Sequence, residues 1–322
     1  MKKNRTEFLQ EYLDMASEAY YRGAPVISDE QYDALEALIE YTKVGAAAKQ
    51  AVPHKYRMYS LQKYYKDEGK VPLQDYNKPK VGSSKLDGAA ISLLYVDGRL
   101  SLALTRGDGI EGQDITEKFL FNPKTIVPVQ TNLPGIVQVT GEIVAPSTIN
   151  NARNYAAGAL NLNDIDEFNS RDLTFVAYGM TPSTDFYLSD MNMLKANGFH
   201  IVTDEDFCSQ FPQDGLVIRV NSNIDYENFG YTSKHPRGAF AIKERKEGVV
   251  TTLLDVIWQT GKSGKVTPVA IIEPVVIGGA TINRATLNNV GYIKALDLDI
   301  GDQVEVQRAG EIIPQIVRKI SA

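Results

Sequence analysis

The chain has 322 residues, 43% hydrophobic and 23% charged, with a net charge of −6, an ordinary soluble composition long enough for two or three separate cores. A single cysteine, Cys208, excludes an intramolecular disulfide framework and a cysteine-rich zinc site, and three scattered histidines give no reason to expect structural zinc. The acidic balance excludes a generically basic nucleic-acid coat but leaves room for a local basic groove. MKKNRTEFLQEYLDM lacks the apolar core of a signal peptide and no later run is long and apolar enough to span a bilayer, so the expectation is no membrane partner and a cytoplasmic location.

The first 50 or so residues read as helical. Ser28 is an N-cap with Gln31 three residues on, a capping box, and Tyr32, Leu35, Leu38 and Ile39 then share one helical face. Phe8, Leu9, Tyr12 and Leu13 suggest a partner helix, giving a helical hairpin. From about residue 75 to 245 short β-like runs alternate with Asp-Gly, Pro and Asn turns: AAISLLYVDG, GIVQVTGEIVA, LTFVAYGM and DGLVIRVN. Helical stretches intervene in STINNARNYAAGAL and YLSDMNMLKANG. This is an α+β pattern with antiparallel sheets. Beyond about residue 248 the chain is mostly β, with Gly turns, and fits a small closed barrel such as an OB-fold.

Lys85, in VGSSKLDGAAISLLYVDGRL, sits just before an Asp-Gly pair at the mouth of an expected β-hairpin. Alone it reads as a solvated charge, Asp87-Gly88 as a turn, and Glu142 with Lys243 as a structural ion pair. Four further stretches change the weight: Arg106 in the glycine-rich TRGDGIEGQDIT, Glu142 in VTGEIVAP, Arg219 in DGLVIRV and Lys243 in AFAIKERKEG. A lysine amine attacks phosphorus only when unprotonated, and its reference pKa is about 10.4. Cations nearby (Arg219, Lys243) and desolvation are expected to favour the neutral amine.

In order and spacing this set resembles the nucleotidyltransferase motifs of polynucleotide ligases. TRGDGIEGQDIT, ARNYAAGAL, GYTSKHPRGAFAIK, NRATLNN and LDIGDQVEVQRAGEIIPQIV resemble the NAD-dependent DNA ligases, from about residue 20 to the end. The resemblance implies an N-terminal nicotinamide-mononucleotide-binding hairpin over 1–55, a nucleotidyltransferase (ATP-grasp-like) domain over 56–247 and an OB domain over 248–322. It also implies sealing of 3′-hydroxyl/5′-phosphate nicks in duplex DNA, through a lysyl-AMP on Lys85. By the same resemblance, Lys243 and Arg219 neutralise phosphate charge, Glu142 contacts the AMP ribose and assists a Mg²⁺ site, and Asp87 steers chemistry at the nick. Asp29, Tyr32 and Asp33 match the nicotinamide site, an assignment that selects NAD over ATP, and Ser60 and Leu61 line the adenosine pocket. Candidate DNA contacts are Arg153, Lys262, Lys265, Arg284 and Arg308.

The sequence departs from the family at several positions. Ser83 stands where a glutamate usually reads the adenine amino group, and Arg219 replaces the usual lysine. Asn161 replaces a second arginine, and a histidine of the nicotinamide module becomes Tyr20 or Tyr21. The zinc finger, helix-hairpin-helix repeats and BRCT domain that usually follow are not in this sequence. The expectation is therefore a compact viral enzyme, a truncated ligase, or the catalytic chain of a split ligase whose clamp is a second polypeptide, in a bacterial or virus-infected bacterial cytoplasm. The rival reading is a DNA-binding or regulatory module of the same fold with reduced turnover.

Overall fold

The structure is a computed structural model and describes residues 5–21, 24–39, 51–65, 71–122, 124, 126–243, 248–260, 266–277, 279–309 and 313–320. The chain divides into two compact units. One gathers the N-terminal helices with the C-terminal barrel, and the other runs essentially from residue 42 to 245.

Among the described residues of the larger unit, two main sheets form. A four-stranded sheet has the order Gln62–Tyr65, Ala239–Lys243, Gln213–Val220, Lys80–Leu86, and a five-stranded sheet has the order Arg99–Thr105, Ala89–Val96, Ile136–Val144, Thr174–Thr181, His200–Ile201. Lys80–Leu86 and Ala89–Val96 are consecutive in sequence but belong to different sheets. Asp87-Gly88 is therefore a crossover from one sheet to the next rather than the turn of a hairpin. The chain can make that crossover only at glycine. A Cβ on Gly88 would lie 2.2 Å from the Ile143 carbonyl and 3.0 Å from Glu142 Cγ. The second pair, Asp97-Gly98, is a true hairpin turn: both residues have positive φ (47° and 77°) and Val96 pairs with Arg99.

Side-chain alternation sets the core. Along Ala89–Val96, Ile91, Leu93 and Tyr95 are fully buried. Along Ile136–Val144, Val137, Val139 and Ile143 enter the same core, while Gln138, Thr140 and Glu142 take the opposite face. The helices Ala152–Leu160 and Tyr187–Ala196 close over it with Ala156, Ala159, Met191 and Leu194.

In the smaller unit the strands Val249–Thr260, Val266–Ile277, Ala280–Thr286, Ile313–Lys319 and Gln303–Ala309 close into a barrel in that order. The helix Val290–Leu296 lies between the third and fourth in sequence, capped by the Asn289 side chain. The N-terminal helices, Arg5–Tyr21 and Asp29–Glu36, share the barrel's core: Leu9, Leu13 and Leu35 cluster with Leu253, Ile282, Tyr292 and Ile316.

The capping box at Ser28 forms as the sequence predicts, and Gln31 does more than cap. It is wholly buried, donates from Nε2 to the Ile316 carbonyl (2.7 Å), and its Oε1 accepts from Ser28 N–H (2.9 Å) and from Asn288 Nδ2. Asn289 accepts from the Tyr12 hydroxyl (3.1 Å) and donates to the Val26 carbonyl (3.3 Å). Adjacent asparagines of NRATLNN thus fasten the helices to the barrel.

Gln31→Ala removes the buried amide from the Ile316 carbonyl and from half-buried Asn288, a loss of about 1–3 kcal/mol. Hydrogen exchange should show protection falling in Asp29–Glu36 and the barrel, with the sheet around Lys80–Leu86 unaffected. Unchanged protection in Asp29–Glu36 would mean that the buried amide does not hold the helices in place.

Candidate active site

Lys85 is half-buried on the strand Lys80–Leu86, and its Nζ donates to Asp214 Oδ1 at 2.6 Å. Lys243, on Ala239–Lys243, meets the other oxygen of the same carboxylate, with Nζ 3.0 Å from Oδ2. Burial works to raise the Asp214 carboxyl, but Lys85 and Lys243 outweigh it and hold it below the usual aspartate range. The expected crowding of Lys85 by cations is thus replaced by an ion pair with one shared anion.

Strict strand alternation would put Asp214 on the face of Leu216 and Ile218, away from Lys85. A β-bulge between Gln213 and Leu216 breaks the alternation, and Gly215 carries it at φ 145°. A Cβ there would lie 2.2 Å from the Ile242 carbonyl. The Asp-Gly of DGLVIRV is the device that turns a carboxylate onto the lysine face.

Glu142 faces the same cluster from the five-stranded sheet. Ala90 pairs with Glu142 across the ladder, and Arg106 N–H donates to the Ala90 carbonyl at 3.0 Å, so Arg106 and Glu142 fall in one row. Burial pushes the Glu142 carboxyl up to about 8, against the pull of Lys85 and Arg106 and with the repulsion of Asp87 and Asp214. Glu142 is half-buried.

The Arg106 loop is shaped by its glycines. Gly107 and Gly109 have φ of 56° and 85°, and a Cβ on them would lie 2.0 and 2.2 Å from the Glu111 and Met58 carbonyls. His54 braces the loop, with Nε2 3.0 Å from the Arg106 carbonyl and Nδ1 2.8 Å from Ser92 Oγ. Arg153 Nε lies 2.8 Å from Asp87 Oδ1, an ion pair by distance whose N–H is poorly aligned for a hydrogen bond. Burial lowers the Arg153 guanidinium to about 10, offset in part by Asp214. Arg153 thereby joins the cluster around Lys85.

Arg219 shares the sheet face of Ser83 and Lys85, since Val217 pairs with Ser83 and Arg219 with Val81. Its charge is engaged elsewhere: the guanidinium lies over the Tyr187 and Tyr226 rings and donates to Asn223 Oδ1 at 2.7 Å. Ser83 is buried and its side chain meets the Tyr187 hydroxyl. Ser60 Oγ lies 3.1 Å from His235 Nδ1, and Leu61 follows, half-buried, before the edge strand Gln62–Tyr65.

Tyr20 and Tyr21 close the first helix. Asp29 and Asp33 are half-buried on the second, and Tyr32 packs on the shared helix–barrel core. Arg284 is exposed on the barrel, and Arg308 is half-buried and donates to the Ile277 carbonyl at 3.4 Å. Lys262 and Lys265 lie outside the described residues. The sequence reading missed Asp214, although it stands in the quoted DGLVIRV, and missed the bracing role of His54.

Residues 46–213 match the family described as NAD-dependent DNA ligase adenylation domain, and residues 250–322 match its OB-fold domain. The chain belongs to the NAD-dependent DNA ligase family. It is 32% identical to a DNA ligase of Francisella philomiragia over 99% of this chain and 56% of the relative. It is 31% identical to one of Francisella tularensis over 97% of this chain and 56% of the relative, so it spans just over half the length of both relatives. A solved structure of a minimal-scaffold Lig E DNA ligase overlaps 84% of this chain and 100% of its own at 13% identity, with a TM-score of 0.43. Among the described residues no helix is long and apolar enough to cross a membrane.

For this ligase-family site, Asp214→Ala leaves two half-buried ammonium groups facing each other and should lower stability by about 1–3 kcal/mol. Adding Lys243→Met should recover part of that loss in denaturant unfolding. A double variant no more stable than Asp214→Ala would mean that Lys243 is not coupled to this carboxylate.

Proposed function

We propose that the chain is the catalytic core of an NAD-dependent DNA ligase that seals 3′-hydroxyl/5′-phosphate nicks in duplex DNA. The observation that carries this reading is the cluster in which Lys85 and Lys243 share Asp214, with Glu142, Arg106 and the Asp87–Arg153 pair around it. In the first step Lys85 Nζ attacks the α-phosphorus of NAD, a P–N bond forms and the phosphoanhydride bond to nicitinamide mononucleotide breaks. The lysine proton must leave, and Asp214, at 2.6 Å, is the group within reach of it. Lys243 stays to meet phosphate charge as Asp214 lets go of Lys85. A 5′-phosphate oxygen of the nick then takes the AMP, freeing Lys85, and the 3′-hydroxyl displaces AMP to close the strand.

Bound Mg²⁺ would neutralise phosphate oxygens during these transfers. Among the described residues no group of three or more His, Cys, Asp or Glu side chains is arranged to hold a metal alone. Asp214 and Asp87 are ion-paired, which leaves Glu142, whose raised carboxyl would have to give up its proton to hold a cation. That donor set fits a cation held mainly by phosphate oxygens and water. Tyr20 or Tyr21, Asp29, Tyr32 and Asp33 are proposed for the nicotinamide half of NAD, and Ser60, Leu61, Ser83, Arg106 and Arg219 for the adenylate half. Arg153, Lys262, Lys265, Arg284 and Arg308 are proposed for DNA phosphates, and a clamp on a second polypeptide would add to them.

Lys85→Ala should abolish the covalent AMP adduct formed with NAD, and the wild-type adduct, a phosphoramidate, should be acid-labile and stable to alkali. An adduct of undiminished yield in Lys85→Ala would sink the assignment of the nucleophile.

Tyr32→Ala and Asp33→Ala should lower adenylation by NAD at least tenfold, about 1.4 kcal/mol in transition-state binding, yet still seal a nick already carrying 5′-AMP. That substrate no longer contains nicotinamide. Equal losses in the two assays would mean that these helix residues serve the helix–barrel core alone.

A further inference from the structure

Arg219 occupies a seat whose parts suit an arginine. Its Nη2 donates to Asn223 Oδ1 at 2.7 Å and its Nη1 to the Val220 carbonyl at 3.0 Å. Its Cζ stands 4.3 Å from the centre of the Tyr187 ring and 4.0 Å from that of Tyr226. A lysine has neither the planar face for two rings nor the fork that reaches two acceptors at once.

The seat continues inward. Asn223, 3% exposed, donates from Nδ2 to Asp190 Oδ2 at 2.7 Å and to the Thr184 carbonyl at 2.8 Å. The other oxygen of Asp190, itself 2% exposed, accepts from Thr184 N–H at 2.6 Å and Thr184 Oγ1 at 2.7 Å. A buried carboxylate is thus joined through one amide to the guanidinium. The amide has no freedom left: with its nitrogen committed to Asp190 and Thr184, its oxygen must point at Arg219. The two helices that carry these residues, Tyr187–Ala196 and Asn223–Phe229, both start here, and the Ser83 side chain meets Tyr187 from the Lys85 strand.

We propose that Asp190, Asn223 and Tyr187 are positioning residues that fix Arg219 on the nucleotide-facing side of the sheet, and so set how tightly this chain holds the adenylyl nucleotide. The proposal rests on the reading above that the nucleotide lies along the face of Ser83 and Lys85. It assigns to this chain a device made for arginine at a position where the sequence departs from lysine.

The test is a set of double-mutant cycles on the full chain, read by calorimetric binding of AMP and by the KM and kcat of self-adenylation with NAD. Asp190→Asn and Asn223→Ala should each weaken AMP binding and raise the KM for NAD about tenfold, with kcat changed less than about threefold. In an Arg219→Ala background the same substitutions should cost less than about twofold more, because nothing remains to be positioned. Arg219→Lys, which leaves Asn223, Asp190 and Thr184 intact, should resemble Arg219→Ala in AMP binding, and it carries the test if Asp190→Asn does not fold. Losses that add fully in the Arg219→Ala background, or wild-type AMP affinity in Arg219→Lys, would overturn the proposal. If AMP binding shows the coupling but NAD yields no adduct, the positioning stands and the NAD-ligase reading falls. If NAD adenylates every variant with the wild-type KM, the ligase reading stands and the positioning falls.

Discussion

The sharing of Asp214 between Lys85 and Lys243 is the interaction on which the rest of the site depends. Two ammonium groups flanking one strand would repel each other and drift toward solvent without an anion between them. The carboxylate that holds them comes from a third position, on the strand that pairs with both of theirs. It reaches their face only through a bulge whose glycine no other residue could replace without striking the Ile242 carbonyl. Backbone geometry, rather than the mere presence of charged side chains, thus gathers the reactive groups. The arrangement also separates two tasks. Asp214 keeps the lysines in place, and an anionic ligand whose charge took over both cations would release them from it.

The second constraint is the crossover at Asp87-Gly88. The lysines and Asp214 belong to the four-stranded sheet, while Glu142 and, through the Ala90 carbonyl, Arg106 belong to the five-stranded one. A site assembled from two sheets keeps its geometry only if the sheets are held together at the point of reaction. Gly88 does this by pressing the connecting chain against the Glu142 strand, and the Asp87–Arg153 pair adds the helix Ala152–Leu160 to the same junction. That packing is also why Glu142 loses solvent and its carboxyl rises toward neutrality.

Much of this was legible in the sequence, and the failures have physical causes. The period-2 burial of Ile91, Leu93 and Tyr95, the capping box at Ser28 and the closed barrel follow directly from residue pattern. Four Asp-Gly pairs look alike in sequence yet do different things. Asp97-Gly98 turns a hairpin, Asp87-Gly88 changes sheets, Asp108-Gly109 shapes the Arg106 loop and Asp214-Gly215 makes a bulge. Which of these a given pair does depends on strand pairing tens of residues away, and that is not written locally. Asp214 is hidden for this reason: alternation counted from Arg219 places it on the wrong face, and the bulge that corrects this is a matter of pairing. Arg219 was expected to serve phosphate charge beside Lys243, and the rings that hold it come from two helices whose approach no periodicity predicts.

The helix–barrel core makes the same point about polar residues. Gln31 reads as a cap, and nothing in the residue pattern marks Asn288 or Asn289 as a packing residue, because side-chain amides are usually exposed. Here they are the fastening. A buried amide that meets every donor and acceptor around it specifies a single docking geometry, where an apolar contact of the same area would tolerate sliding. Leu9, Leu13 and Leu35 supply the area, and Gln31, Asn288 and Asn289 supply the register. Tyr32 packs on the same core, so its aromatic face is set by how the second helix sits on the barrel. Any ligand that uses Tyr32 must therefore be recognised by a surface whose shape the barrel helps to determine. The second helix and the barrel then share one core, although about 210 residues of chain separate them.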